Sequence, residues 1–307
     1  MARRLVFVLV LVLEVTGKSE DEDEPFPLAH LLVTPSEHRI RFEFPYVACL
    51  KPTIVSAATE RLKLIIAYDG EPFAGWQSQA GGNGVQDHLE SALLAVSGIK
   101  MRVHGSGRTD AGVHALGQIA HVDVPRDRYP AATWQSALNA NLPHAIRVVR
   151  ASRVRGGHDG FHARFSTTGK RYLYRIWNAP YMHPIEIERA WYVPRKLDLA
   201  RLREAAAILI GRHDFARFTA NRGQREADTV RTIQRITITS RGPLITFTVE
   251  GDGFLYKMVR LIVGTLVRVG EGRAPVSFIN DLLSPKVRAR THFTAPAGGL
   301  YLAKVLY

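Results

Sequence analysis

Hydrophobic and polar residues alternate along "RLKLIIAYDG" (61–70), a period of two that predicts a β-strand ending at the Asp69-Gly70 turn. Apolar residues then repeat at helical spacing in "VQDHLESALLAVSG" (85–98), where Gly98 can cap the C-terminus. The same two patterns predict six further strands and three further helices: strands at 118–124, 146–154, 170–178, 231–240, 244–251 and 299–307, and helices at 132–143, 198–211 and 254–270. This mixture of elements indicates an α+β protein.

The predicted elements form two successive α+β units, which join near residues 165–169. We therefore expect an N-terminal lobe over 59–165 and a C-terminal lobe over 166–307.

The predicted helix over 254–270 is apolar enough to raise the question of a membrane span. However, Lys257, Arg260 and Arg268 place three cationic side chains along it. Charged residues are rare in membrane-spanning helices, so a helix buried in the protein core, with polar exceptions, is the favoured interpretation.

The first 58 residues show no sustained helical or strand period. "MARRLVFVLVLVLEV" begins with basic residues and continues with nine apolar ones, as a secretory signal does, but nine residues are too few to cross a bilayer as a helix. An acidic run, "EDEDE", follows. We interpret residues 1–58 as a disordered or adventitious extension, and a functional secretory signal is the alternative.

The positive charge of the chain is large and unevenly distributed. The formal net charge is +13; residues 1–58 hold 6 Lys and Arg against 8 Asp and Glu, and residues 59–307 hold the other 35 against 20. This excess favours a polyanion as the partner, because each neutralised phosphate releases counterions, whereas a basic surface that maintains solubility is the alternative. A single cysteine, Cys49, excludes an internal disulfide and a cysteine-based zinc site, and fits a reducing compartment such as the cytoplasm.

The sequence lacks the common motifs of cofactor, metal and serine-nucleophile sites. "GSGRTD" begins like a dinucleotide fingerprint but has Asp110 where a small residue is required, and no phosphate-binding Gly-Lys-Ser/Thr loop is found. His158 and His162 lie four residues apart without further ligands nearby, so we interpret them as surface or loop residues. No Gly-x-Ser-x-Gly motif is present. The remaining candidates are carboxylate, aromatic and basic side chains.

Asp110 is a carboxylate in the turn "GRTDAGVHA", within a chain that attracts anions. Taken alone, such an Asp is most often a turn former or a helix N-cap. Arg260 lies among apolar neighbours in the 254–270 helix, and a buried guanidinium needs a carboxylate or phosphate partner.

The predicted strand over 170–178 has tyrosines on one face and arginines on the other. Tyr172 and Tyr174 alternate with Arg171 and Arg175. The pair of rings could be part of the core, or it could be a base-stacking platform beside phosphate-binding arginines.

Seven motifs occur along the chain in a characteristic order: "GRTDAGVHALGQ" (107–118), "LNANLP" (138–143), "FHARF" (161–165), "KRYLYRIWN" (170–178), "GRHDFARF" (211–218), "FLYKMVRLIVGTLVRVG" (254–270) and "TAPAGGLYLAKVLY" (294–307). Together they closely resemble the TruA family of tRNA pseudouridine(38-40) synthases over roughly residues 60–307. Residues 1–58 match nothing in that family.

The resemblance implies a catalytic set of Asp110, Tyr172 and Arg260. Asp110 would be the nucleophile, in attack on either the sugar or the base, and Arg260 would pair with it and keep it ionised. Tyr172 would pack on the uracil and help to remove the C5 proton. Four basic residues are expected to bind the RNA, namely Arg108, Lys170, Arg171 and Lys257. Arg108 would fill the space that the target nucleotide leaves in the helical stack.

The resemblance also implies the pseudouridine synthase fold, in which two ferredoxin-like lobes surround an extended, mainly antiparallel sheet with a basic cleft between them. A homodimer that binds tRNA is expected, without a metal or a cofactor, because the reaction has no redox change. A catalytically silent RNA-binding module on the same fold is the first alternative, which the presence of Asp110, Tyr172 and Arg260 disfavours. A secreted or membrane-anchored protein is the second, and it rests on residues 4–13 alone.

Overall fold

A computed structural model of the chain describes residues 58–157, 159–220, 228–286, 291 and 293–307. The expectations for residues 1–57 and for His158 therefore lie outside the described residues. The described residues contain these strands: β1 Thr59–Tyr68, β2 His104–Gly105, β3 His114–Pro125, β4 Ile146–Val154, β5 Gly169–Trp177, β6 Trp191–Tyr192, β7 Gly211–Asp214, β8 Val230–Arg241, β9 Leu244–Gly251 and β10 Leu300–Leu306. They also contain these helices: α1 Val85–Ser97, α2 Ala131–Asn141, α3 Leu199–Ile208, α4 Met258–Gly270 and α5 Phe278–Leu283, with short 3₁₀ turns at Pro184–Glu186, Ala216–Phe218 and Ala297–Gly299.

The strands form one sheet in the order β4-β1-β3-β10-β5-β9-β8-β7, with β2 paired to β3 and β6 paired to β5. All pairs are antiparallel except β10 with β3 and β5 with β6. The protein therefore has the α+β architecture with a mainly antiparallel sheet that the sequence predicted.

Alternation along the strands accounts for the two parts of the core. In β1, Leu62, Leu64 and Ile66 are fully buried on one face, where Leu89 and Leu93 of α1 join the same hydrophobic cluster. A second cluster contains α3, α4 and α5 side chains packed with those of β5, β8 and β9. Tyr172 packs against both clusters, so it lies where the two parts of the core meet.

Strand β10 lies between β3 and β5 at the centre of the sheet. Leu302 pairs with Ala115 at the start of β3 on one side and with Tyr172 of β5 on the other. This pairing brings the turn that precedes β3 close to β5, although the two are far apart in sequence. The division into lobes at 165/166 stays a prediction.

Helix α4 is shorter than predicted. The pattern indicated a helix from residue 254, but α4 begins at Met258, because Lys257 adopts a left-handed backbone conformation with φ of 59°. Every residue of α4 except Arg260 and Arg268 is buried, so its interpretation as a core helix is confirmed. Each helix in the described part of the chain is too short or too polar to span a membrane.

Candidate active site

The turn that carries Asp110 connects β2 to β3 and is held by backbone and side-chain hydrogen bonds. Trp76 N donates to Thr109 O at 3.1 Å, and Val113 N donates to Asp110 O at 3.1 Å. The Tyr68 and Thr109 hydroxyls share a buried hydrogen bond of 2.8 Å. Gly75, with φ of 94°, allows the close approach, because a Cβ there would lie 2.6 Å from Thr109 O.

Gln118 holds the same turn through side-chain hydrogen bonds. Its side chain is fully buried, accepts a hydrogen bond from Ser106 Oγ at 2.6 Å and donates one from Nε2 to Gly107 O at 3.0 Å. A buried amide with its hydrogen bonds satisfied fixes the groups that it binds, since breaking either bond would strand a polar atom. Gln118 therefore fixes the start of the turn that presents Asp110.

Arg260 approaches Asp110 from α4. Its Nη1 lies 3.3 Å from Asp110 Oδ2, and its Nε donates to Ala295 O at 2.7 Å. The two side chains are 13% and 19% exposed, respectively, so the ion pair is largely shielded from water. The pairing that the sequence predicted is thus present, and it orients the carboxylate as well as balancing its charge.

Tyr172 lies in β5 beside this pair, with its ring edge-on to Phe254 at a centroid distance of 5.0 Å. Burial raises the pKa of the Tyr172 hydroxyl, and the nearby Tyr68 and Asp110 raise it further. The hydroxyl is therefore protonated at neutral pH. This protonation favours a role in packing and hydrogen bonding over a role as a phenolate base.

The side chains of Asp110 and Tyr172 line a cavity of about 870 Å³. Its volume is within the range of small-molecule sites and suits a nucleotide. Five cationic side chains contribute to its lining: Arg102, Arg108, Arg164, Lys170 and Lys257. Asp110 and Asp252 are the acidic residues among the described lining. The cavity thus combines a carboxylate with a surplus of positive charge.

Lys170 extends its ammonium group to the Asp110 turn. A Cβ on Gly107 would lie 2.6 Å from Lys170 Nζ, so the glycine leaves space for this approach. Burial lowers the pKa of Lys170, and the positive charge of Arg164 lowers it further. The two cations are therefore close enough to repel each other, and an anion bound here would relieve that repulsion.

The structure brings three of the four predicted RNA-binding residues into the cavity lining, namely Arg108, Lys170 and Lys257. Arg171 is not among the lining residues. Its Nε donates to Glu250 at 2.6 Å, and this arginine holds the pKa of Glu250 below its usual range. Because residues alternate faces along β5, Arg171 and Lys170 lie on opposite faces of the strand.

Of the two alternatives for the tyrosine pair on β5, a platform formed by both rings is not observed, because only Tyr172 lines the cavity. Tyr174 is fully buried and donates its hydroxyl to Pro296 O at 2.8 Å, so it belongs to the core. Arg175 forms an ion pair with Glu186 at 2.8 Å. The interpretation of the tyrosine pair as core residues therefore holds for Tyr174.

Several cavity residues were not singled out from the sequence, among them Arg102, His104, Arg164 and Phe165. His162 lies in a loop, as predicted, but also lines the cavity. Three of these five belong to "FHARF", which was noted only as a motif. The alternation of aromatic with basic residues in that motif was the sequence signal that could have identified them.

Comparison with known proteins assigns the chain to a family. The model of a family described as tRNA pseudouridine synthase matches residues 64–166 and 205–307. Asp110 and Arg260 lie within the matched segments, whereas Lys170 and Tyr172 lie between them.

Curated relatives named tRNA pseudouridine synthase A are similar over most of their length. The protein from Akkermansia muciniphila is 43% identical over 80% of this chain and 95% of its own. The protein from Afipia carboxidovorans is 42% identical over 80% and 99%, and that from Geobacillus kaustophilus is 43% identical over 81% and 95%.

Proposed function

The chain belongs to the tRNA pseudouridine synthase family, and we propose that Asp110 is the nucleophile with which it isomerises uridine in the anticodon stem-loop of tRNA, at positions 38, 39 and 40. The observation that carries the proposal is the largely shielded Asp110–Arg260 pair, whose aspartate lines a cavity with five cationic side chains. A carboxylate fixed in this way is available to a substrate whose phosphates the surrounding cations hold.

The reaction determines what the site must supply. The N1–C1′ bond of uridine breaks, a C5–C1′ bond forms, the proton on C5 passes to water and N1 takes up a proton from water, so atoms and electrons balance without an oxidant. Asp110 would attack the sugar or the base and be released when the new bond is complete. The protonated Tyr172 would pack against the uracil, and the cavity would admit the nucleotide only after it has left the helical stack.

Asp110→Asn tests the nucleophile, and Asp252→Asn is a matched control. Both carboxylates line the cavity, and each variant removes one negative charge. Asp252 differs from Asp110 in that its carboxylate accepts a hydrogen bond from the backbone N–H of Thr232 in β8. We expect Asp110→Asn to lower turnover at least about a thousandfold, while its affinity for tRNA stays within about tenfold of wild type. The control should turn over at a rate close to that of wild type.

The assay measures pseudouridine in a tRNA transcript and, separately, the binding of that transcript. Appreciable turnover by purified Asp110→Asn would exclude the nucleophilic role. Equal losses in Asp110→Asn and Asp252→Asn would show that charge in the cavity, rather than a particular carboxylate, is what matters. A pseudouridine map of tRNA from cells that lack the protein would test the three positions.

The assembly and location of the enzyme are part of the same proposal. We infer a homodimer that acts in the cytoplasm, where its tRNA substrate is found; the dimer is supported by the resemblance to the family. Light scattering of the purified protein should give twice the mass of the chain, and a monomeric mass at full activity would refute the dimer. Cell fractionation should recover the protein with cytoplasmic tRNA.

A further inference from the structure

An exposed aromatic side chain lies at the edge of the cavity, away from Asp110 in sequence. Phe165 is 78% exposed, the highest value among the large hydrophobic residues whose exposure is described. It lines the same cavity as Asp110, and its neighbour Arg164 does so too. An aromatic ring presented to solvent beside cations is a feature of surfaces that bind unpaired nucleotides.

The Phe165 ring packs against a series of histidine rings, in which stacked and edge-on contacts alternate. It lies against His162 with centroids 4.3 Å apart and planes at 26°. His162 in turn contacts His121 at 4.6 Å, and His121 stacks on His104 at 4.9 Å and 15°. The buried His121 anchors this series of rings, while His104, His162 and Phe165 contribute to the cavity lining.

Hydrogen bonds within the turn hold the backbone that carries Phe165. His162 Nδ1 accepts hydrogen bonds from the backbone N–H groups of Arg164 and Phe165, at 3.1 Å and 3.2 Å. Ser166 Oγ accepts one from His162 N, and Thr167 Oγ1 donates one to Ala163 O. A ring on such a fixed turn loses little conformational freedom when a base stacks on it.

Two of the histidine rings in this series carry no charge at neutral pH. Burial lowers the pKa of His121 to about 4, with Arg61 and the other histidines contributing, and burial also lowers the pKa of His162. Both rings are therefore neutral at neutral pH. The positive charge is supplied by Arg164 and Lys170, whose separation is short enough to lower the pKa of the lysine.

We propose that Phe165, supported by His162, is a stacking subsite for an unpaired tRNA base next to the target uridine, with Arg164 beside it for the adjoining phosphate. The inference rests on the proposed function, since it assigns part of the same substrate. It adds a second point of attachment, which holds the loop while the target nucleotide occupies the cavity with Asp110.

Binding of an anticodon stem-loop transcript to Phe165→Leu and to Phe165→Tyr tests the subsite, because leucine removes the aromatic face and tyrosine keeps it. Loss of one base–aromatic stack should weaken binding about tenfold in Phe165→Leu, and Phe165→Tyr should restore binding. The loss in Phe165→Leu should appear mainly as weaker RNA binding, with a smaller fall in turnover at saturating RNA. The salt dependence of binding should be unchanged in Phe165→Leu, because no charge is removed, but shallower in Arg164→Gln.

Tyr181→Leu is the matched control, since Tyr181 is 71% exposed and is not among the cavity residues. Unchanged affinity in Phe165→Leu, or equal losses in the leucine and tyrosine variants, would overturn the subsite. So would an equal loss in Tyr181→Leu. Because the subsite predicts a loss of binding and the nucleophile predicts a loss of turnover in Asp110→Asn, failure of one is distinguishable from failure of the other.

Discussion

Replacing Arg260 by methionine should both destabilise the protein and slow the reaction. Methionine keeps an unbranched apolar side chain at this position of α4 but lacks the guanidinium. The lost charge-assisted hydrogen bond from Nε to Ala295 O, at 2.7 Å, is worth about 1.5 kcal/mol. The lost ion pair to Asp110 adds about 1 kcal/mol, a value reduced because both side chains keep some contact with water.

The expected total is about 2 to 3 kcal/mol in the free energy of unfolding, or a fall in Tm of roughly 4 to 6 °C for a protein of this size. Loss of the contact that orients Asp110 should also lower kcat by about a hundredfold. Arg260→Lys should recover part of both, because it keeps the charge but cannot reach both oxygen partners in the same geometry.

Urea unfolding and single-turnover assays of Arg260→Met, Asp110→Asn and the double variant measure the interaction directly. If the ion pair is real, the double variant should be more stable than the sum of the single effects predicts, by about 1 kcal/mol. Single effects that add within about 0.5 kcal/mol would show that the two side chains do not interact energetically. Wild-type rate and Tm in Arg260→Met would refute the positioning role altogether.

Two further changes follow from the site and its surroundings. Gly107→Ala should displace the Lys170 ammonium, because the new Cβ would lie 2.6 Å from Nζ. We expect the affinity for tRNA to fall about three- to tenfold and its salt dependence to become shallower. Gly81→Ala is the control and should bind tRNA normally, since a Cβ at Gly81 would have no atom within 4 Å. A wild-type salt slope in Gly107→Ala would contradict the contact. The pKa of His121 is lowered from 6.5 to about 4, and its Nδ1 accepts a hydrogen bond from Ala163 N. The folded protein therefore favours the neutral ring, and stability that is present above pH 6.5 should be lost as the pH falls towards 4. After allowance for solvent screening, we expect a loss of about 2 kcal/mol in the free energy of unfolding. Urea unfolding against pH should show a smaller acid loss in His121→Gln, and identical curves would refute this assignment.

The sequence determined most of the local structure of this protein. Alternation placed β1, β4, β5, β8, β9 and β10 within a few residues of their observed bounds, because burial of one face of a strand imposes a period of two on neighbouring residues. Helix α1 ended at Gly98 as predicted, since its left-handed φ of 72° suits glycine. Strands β2 and β6 were missed because two residues cannot display a period.

The sequence also identified some residues of the candidate site, but it missed others and did not determine their surroundings. The motif order singled out Asp110, Tyr172 and Arg260, and the structure brings the first and last within 3.3 Å. Alternation places Lys170 and its neighbour Arg171 on opposite faces of one strand, but it does not show which face meets the cavity. Only the pairing partners decide their surroundings: Gly107 on the cavity side for Lys170, and Glu250 on the other for Arg171.

Tertiary structure alone decided which distant segments meet. Strand β10 lies between β3 and β5, so residues at the end of the chain set the distance between the Asp110 turn and Tyr172. The series of rings is likewise assembled from three separate segments, and its members are His104, His121, His162 and Phe165. A hydrophobic period shows which face of a strand or helix is buried. The contacts between distant segments depend instead on the order of the strands in the sheet, and no local pattern specifies that order.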